Sequence, residues 1–288
     1  MNINETVENL LQSYKEKDNI TKIDTHPQLD KFLINEIINK LQDILFPGYF
    51  RRTDLKSDVL KYYVGDQIQD IYNSLKDQII IALYYQEDDK CYIEKESLAR
   101  SITSDFINKL PEIRSMLSKD AIATFDGDPA AYSISEIVLS YPGYYAIMIH
   151  RLAHELYKLN VPLIPRMMSE RAHSLTGIDI HPGATIDEYF MIDHGTGIVI
   201  GETTEIGKNV KIYQGVTLGA LSTKGGQDLK NKKRHPTIED DVTIYSNASI
   251  LGGNTIIGKG ATIGGGTFIT ESVPENTSVY AVANQKVK

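Results

Sequence analysis

Two short polar segments interrupt an otherwise aliphatic stretch of this chain, and both carry residues able to move protons. The first is Asp179-Ile180-His181-Pro182, followed by Asp193-His194-Gly195-Thr196-Gly197; the second is Arg234-His235-Pro236. Asp179 and His194 lie fifteen residues apart. A carboxylate bonded to one imidazole nitrogen fixes the tautomer and raises the basicity of the other. Such a pair is suited to taking a proton from an alcohol or amine nucleophile. Other polar residues read more plainly. His181 reads as a turn residue. His150 and His154 sit at i, i+4 on a predicted helix, a spacing that suits a metal, but no third ligand accompanies them and packing is expected. Cys91, the single cysteine, has no activating neighbour and reads as structural. Tyr144, Tyr145 and Met148 read as a core stripe.

The element that must position these residues shows itself as a period of six. Ile180, Ile186, Ile192 and Ile198 are spaced by six, as are Ile200, Ile206, Ile212 and Leu218, with Val210 and Val216 in a second row. A third run holds Ile238, Ile244 and Ile250, and a fourth holds Ile257, Ile263 and Ile269, shifted by one as if Gly252-Gly253 inserted a bulge. A triangular prism of short flat strands needs about eighteen residues per coil, one inward aliphatic every six, and Gly, Asn or Asp at its corners. A β-sandwich would instead show alternating strands of variable length. Fifteen residues being close to one coil of eighteen, Asp179 and His194 are expected on neighbouring coils near the same edge, within reach of each other. The stretch GALSTKGGQDLKNKKRHPT breaks the repeat and is expected to leave the prism as an extruded loop at about 219–237.

Before residue 170 the rhythm is helical. Phe32 to Ile34, Ile37, Ile38, Leu41, Ile44 and Leu45 follow a three-to-four spacing, and similar segments run about 55–86, 94–119, 133–140 and 142–160. Asp128-Pro129-Ala130 reads as a helix start, with Asp as N-cap and Pro in the first turn. The fold class is therefore α+β. An N-terminal α-helical domain, residues 1–170, precedes a C-terminal left-handed parallel β-helix, residues 171–288.

Composition bounds the partners. The apolar and charged fractions, 41% and 24%, are those of a soluble globular protein, and the net charge of −8 argues against nucleic acid. The one basic run, Lys230 to Arg234, suits a small phosphorylated ligand better. The polar N-terminus lacks a signal-peptide core, and no stretch approaches the roughly 20 apolar residues of a membrane span. The expected compartment is the cytoplasm, with no membrane partner.

The segment DHGTGIVIGETTEIG, with DIHPGATI before it and GVTLGA…KRHPTI after it, resembles the serine O-acetyltransferases of cysteine biosynthesis, hexapeptide-repeat acyltransferases. The resemblance covers about 125–275 and includes Gly127-Asp128-Pro129-Ala130 and the helix YPGYYAIMIHRLAHELY. It implies that His194 is the general base for the serine hydroxyl and Asp179 its orienting partner. Asp128, Asp193, Arg234 and His235 match positions that hold the serine amino and carboxylate groups. An Arg fork suits a carboxylate, and an Asp suits an ammonium. The hydroxyl then attacks the thioester of acetyl-CoA directly, with no metal and no covalent acyl-enzyme. The resemblance also implies a homotrimer, or a dimer of such trimers built through the helical domain, and an acetyl-CoA groove between neighbouring β-helices. Thr217, Gly219, Ala220 and Ser246 match places along that groove. Loop lysines Lys224, Lys230, Lys232 and Lys233 are candidates to attract the CoA phosphates.

The chain also departs from the family pattern. The loop before Arg234 is longer than in the compact enterobacterial type, and a lysine that contacts CoA there is replaced near Thr262. The chain ends AVANQKVK, without the isoleucine-terminated tail that in many relatives enters O-acetylserine sulfhydrylase, so the resemblance does not extend to a tail-mediated complex with that enzyme. Other readings are a hexapeptide acetyltransferase acting on a sugar hydroxyl or amine, a non-catalytic trimeric scaffold, and a γ-carbonic-anhydrase-like metalloenzyme. The last needs three converging histidines, of which only His194 and His235 suggest themselves.

Overall fold

Apolar stripes at helical spacing become helices in the computed structural model, which describes residues 2–15, 20–22, 25–51, 55–86 and 90–281. The helices are α1 Ile3–Ser13, α2 Lys31–Leu45, α3 Ser57–Leu83, α4 Tyr92–Gly127, α5 Ile134–Ser140, α6 Pro142–Lys158 and α7 Ile164–Thr176. In α2 the inward stripe is Ile34, Ile37, Ile38, Leu41 and Leu45, and Asp30 caps the helix by accepting the N–H groups of Phe32 and Leu33. Tyr144 and Met148 are buried in α6, as a core stripe requires, and Tyr145 packs partly buried beside them.

Two expectations for this region change. Asp128 does not start a helix: it is the residue that ends α4, and its side chain caps a turn by accepting the Ala130 N–H at 2.8 Å. Ser133 takes the N-cap of α5 instead. The helix α7 was not anticipated, because its buried positions Ile164, Pro165, Met168, Ser169 and Ala172 include few large aliphatics.

After Gly177, which ends α7 at φ 70°, the chain winds into a left-handed parallel β-helix. Its strands are β1 Asp179–Ile180, β2 Thr185–Ile186, β3 Met191–Asp193, β4 Val199–Ile200, β5 Glu205–Ile206, β6 Lys211–Tyr213, β7 Thr217–Gly219, β8 Thr237–Ile238, β9 Thr243–Ile244, β10 Ser249–Leu251, β11 Ile256–Ile257, β12 Thr262–Ile263, β13 Phe268–Ile269 and β14 Ser278–Val279. Strands three apart pair in parallel, except that β14 pairs with β12, because the second sheet is continued between β13 and β14 only by a bridge of Val273 to Ile257. The first sheet is β1-β4-β7-β10-β13, the second β2-β5-β8-β11 and the third β3-β6-β9-β12-β14. Ile180 stacks under Ile200, Leu218, Ile250 and Ile269. This buried aliphatic column is the inside of the prism, and each fully buried Ile or Leu contributes about 1.5–3 kcal/mol.

The register refines the six-residue reading. Asp179 pairs with Val199, Ile186 with Ile206 and Ile192 with Ile212, two residues more than an eighteen-residue coil. Ile198 therefore leaves the column and fills a corner, where it is buried. The extra residues lie in the corner from Asp193 to Val199, which is longer than the corner from Tyr213 to Thr217 stacked on it. The shift of the fourth run is real: Ile238 pairs with Ile257, and Gly252 turns the corner at φ 107°.

A buried ion pair joins the two halves. Arg151 on α6 bonds both carboxylate oxygens of Asp120 on α4, at 2.5 and 2.8 Å, and donates to the carbonyls of Ile186 and Asp187. Asp120, 0% exposed, also accepts the Phe190 N–H. Every charged atom thus has a partner, which is the condition under which burying such a pair is tolerated.

Candidate active site

The long corner after β3 is where the chemistry gathers. Its two additional residues push His194 outward, leaving the side chain 74% exposed, with its backbone at φ 53°. Positive φ is uncommon for a residue with a side chain, and such strain concentrates at functional positions. Gly195 and Gly197 follow at φ 86° and 83°; a side chain on Gly195 would collide with Ile178. Asp193 Oδ1 lies 3.7 Å from His194 Nδ1.

Two glycines press helix ends onto β3 beside this corner. A side chain on Gly127 would collide with Met191, and one on Gly143 would meet the Ile192 carbonyl oxygen at 2.5 Å. The first contact brings Asp128 to the corner, and the second brings Tyr141, the residue before α6. Tyr141 donates its hydroxyl to Asp128 Oδ2 at 2.6 Å while Ala130 donates to Oδ1. These two bonds, the phenol's first, hold the Asp128 carboxyl below the usual aspartate range, with His194 adding to the effect. The same bond to Asp128 pushes the Tyr141 phenol up to about 12. One exposed imidazole flanked by two carboxylates can accept a proton from a hydroxyl and hold an ammonium beside it.

Arg234 and His235 lie on a different edge, between the first and second sheets, where the long loop rejoins the coil at β8. His235 is 8% exposed, and its ring lies over Gly201, where any Cβ would overlap it. Its Nδ1 accepts the Thr203 N–H at 3.0 Å, so in the neutral ring the proton sits on Nε2. Burial and then the neighbouring Arg234 push the imidazole down to about 4. Thr203 Oγ1 accepts the N–H groups of both Arg234 and His235, and the Arg234 guanidinium bonds Glu202, which also takes the Tyr157 hydroxyl. The result is a rigid donor pair, a guanidinium and a neutral imidazole, suited to an anion.

The predicted site residues thus separate into two sets on one prism. Asp128, Asp193 and His194 share one edge, and Arg234 and His235 share another. Asp179 is not joined to His194 by a hydrogen bond or ion pair among the described residues, contrary to the expected pairing. It sits on the outer face of β1 and groups instead with Glu170 and His173, whose ligand atoms lie within 4.8 Å of its own. That is the one grouping among the described residues spaced to hold a metal ion. Thr217 and Gly219 lie on β7, Ala220 follows them, and Ser246 stands higher on the His194 edge, where its carbonyl accepts the Gly266 N–H. Lys224, Lys230 and Lys232 are exposed, whereas Lys233 is engaged by the Thr203 carbonyl and Glu205. His181 accepts the Gly183 N–H in its turn, and His154 bonds the Pro182 carbonyl. Cys91 is exposed, and its N–H is taken by Glu94. The final residues, 282–288, on which the reading of the tail rests, lie outside the described residues.

A cavity of about 730 Å³ lies elsewhere, between α4, α6 and the second sheet, and none of the predicted site residues lines it. Sequence reasoning missed Tyr141, Glu202, Thr203 and Gly201. Tyr141 precedes a helix-starting Pro and looks like core, while Gly201 looks like an ordinary corner. Only the position of Gly201 and Thr203 one coil below His235 marks them.

Residues 56–148 match the family model described as the N-terminal region of serine acetyltransferase. The plasmid serine acetyltransferase of Synechococcus elongatus is 46% identical over 224 residues, covering 75% of this chain and 70% of that protein. A serine acetyltransferase of Bacillus licheniformis is 49% identical over 172 residues, 60% of this chain and 76% of its own. Among solved structures, isoform 3 of the Entamoeba histolytica serine acetyltransferase, in complex with cysteine, superposes with a TM-score of 0.76 at 36% identity, over 99% of this chain and 94% of that one. The Neisseria gonorrhoeae serine acetyltransferase in complex with serine gives 0.57 at 27% identity, over 92% and 98%. With the helical part and the whole β-helix both accounted for by these relatives, the chain belongs to the serine acetyltransferase family.

Proposed function

We propose that this chain transfers the acetyl group of acetyl-CoA to the hydroxyl of L-serine, giving O-acetyl-L-serine and CoA for cysteine biosynthesis in the cytoplasm. The observation that carries the reading is the long corner that holds His194 outward between Asp128 and Asp193. His194 takes the hydroxyl proton as the serine oxygen attacks the thioester carbon. The tetrahedral intermediate then expels the CoA thiolate, which recovers the proton from the imidazolium. Asp128 and Asp193 receive the serine ammonium, and Arg234 its carboxylate. The Nε2–H of neutral His235 is a donor for the carboxylate or for the oxyanion. Asp179 serves as orienting partner of His194, a role that requires the exposed imidazole to turn toward β1. Acetyl-CoA runs up the His194 edge past Ser246 and along Thr217, Gly219 and Ala220.

The acceptor-binding groups lie on two edges of one prism, so a complete site takes one edge from each of two copies. A closed ring of three does this with a single repeated contact, each His194 edge meeting the Arg234 edge of the next copy. That requirement supports the homotrimer that the family resemblance implies, and the helical domain, residues 1–170, supplies Asp128 and a surface for pairing trimers.

Thiol release from acetyl-CoA, followed with L-serine, homoserine, a galactoside and maltose as competing acceptors, tests the assignment. Serine is expected to be the preferred acceptor. Preference for a sugar would overturn it in favour of a sugar acetyltransferase.

A further inference from the structure

The Asp128 carboxylate sits in a turn, not on a helix or strand, and a carboxylate in a turn rotates freely unless both its oxygens are tied. Here both are tied: Oδ1 by the Ala130 N–H at 2.8 Å and Oδ2 by the Tyr141 hydroxyl at 2.6 Å. An ionised carboxylate offers about four lone-pair directions, so these two bonds leave it able to accept two more. Tyr141 is itself immobile. Pro142 restricts it to the extended region, where it lies at φ −81° and ψ 116°, and its N–H is bound to the Ile137 carbonyl. The close approach of Gly143 to the Ile192 carbonyl fixes the start of α6 on β3, the strand that ends in Asp193.

We propose that Tyr141 is a positioning residue for the acceptor, its hydroxyl fixing the Asp128 carboxylate in the orientation that receives the serine ammonium. The assignment rests on the reading of Asp128 given above and adds to it the group that aims the carboxylate. The surroundings support a donor role for the phenol. Like any phenol it is protonated at neutral pH and so a donor, and the bond to Asp128, then burial and the facing Asp128, Glu136 and Asp193, raise it further. His194 and Tyr213 face Asp128 from the coil, and Lys211 stands beside Gly127. None of these is within hydrogen-bond distance of the Asp128 carboxylate, so the phenol is its one side-chain donor among the described residues.

Steady-state kinetics of the assembled full-length enzyme test this with Tyr141→Phe, Asp128→Asn and the double variant. Losing one hydrogen bond to a charged group is expected to raise the KM for serine about tenfold in Tyr141→Phe. The KM for acetyl-CoA is expected to stay within about twofold, a split that general loosening of the fold does not give. Because Tyr141 acts through Asp128, the double variant is expected to bind serine no worse than Asp128→Asn alone. Carboxyl-carbon NMR on the unmodified enzyme gives a reading independent of any variant: Asp128 should titrate below the usual aspartate range. An unchanged serine KM in folded Tyr141→Phe, additive losses in the double variant, or an ordinary Asp128 titration would each overturn the role of Tyr141. A normal serine KM in Asp128→Asn would instead remove the underlying reading of Asp128, and the proposal with it.

Discussion

At one edge of the prism His194 stands 74% exposed, its ring free of hydrogen bonds among the described residues, with Asp193 3.7 Å away. At the other, His235 is 8% exposed, its Nδ1 takes the Thr203 N–H, and its ring lies over Gly201. The same residue type is thus held in opposite ways by one scaffold. The difference lies in what stands beneath each ring. The lengthened Asp193–Val199 corner holds His194 clear of the coil, whereas Gly201, which has no side chain, leaves a seat into which the His235 ring packs. An exposed imidazole is open to the hydroxyl of an incoming acceptor. A packed one is fixed as a neutral donor. A base and an anion-holding donor need those two environments.

The most damaging single change to this division is expected at the open edge. His194→Ala should lower kcat by roughly 10²–10⁴-fold, the usual worth of a general base, while the assembly persists by sedimentation. Wild-type rates would show that the long corner serves some purpose other than proton transfer. A smaller effect is expected at the packed edge. Gly201→Ala forces the His235 ring off its seat and should cost about tenfold in kcat/KM for serine and about 1–3 kcal/mol of stability. Full activity would mean that the seat of His235 is irrelevant to the acceptor.

The smallest effect is on stability against pH. The folded His235 imidazole is held at about 4 against an ordinary 6.5, so the unfolded chain takes a proton first as pH falls. The stability owed to neutral His235 is present above pH 6.5, is lost as pH falls toward about 4, and changes little below that. Burial lowers His150, His154 and His181 in the same direction. Urea midpoints across that window should therefore fall less steeply in His235→Gln than in the unmodified protein. Equal slopes would contradict the packed, neutral state of His235.

The β-helix was legible because a buried column tolerates only aliphatics, and one inward position in six prints that constraint directly into the chain. The main helices were legible for the same reason, through stripes such as Ile34, Ile37, Ile38 and Leu41. Local chemistry misled where one residue type serves two purposes. Asp128 before Pro129 has the pattern of a helix cap, yet its carboxylate caps a turn and faces the corner. Spacing along the chain also could not reveal that Asp193 and Arg234 stand on separate edges. Two residues added in the Asp193–Val199 corner and the long loop between β7 and β8 both disturb the count on which edge assignment depends. The contact between Asp179 and His194 was not legible either: the lengthened corner carries the imidazole outward, and with the ring in that position Asp179 lies beside Glu170 and His173.

The division between the two edges has one direct consequence for assembly. His194→Ala chains and His235→Ala chains, each inactive alone, should be unfolded together, refolded as a mixture and assayed for serine acetylation. If each site takes His194 from one copy and His235 from the next, random mixing in a trimer restores about a quarter of the sites. Activity near a quarter of the unmodified enzyme is the expected result. A mixture no more active than its parents would contradict the account, because it would place both edges of the site in a single chain.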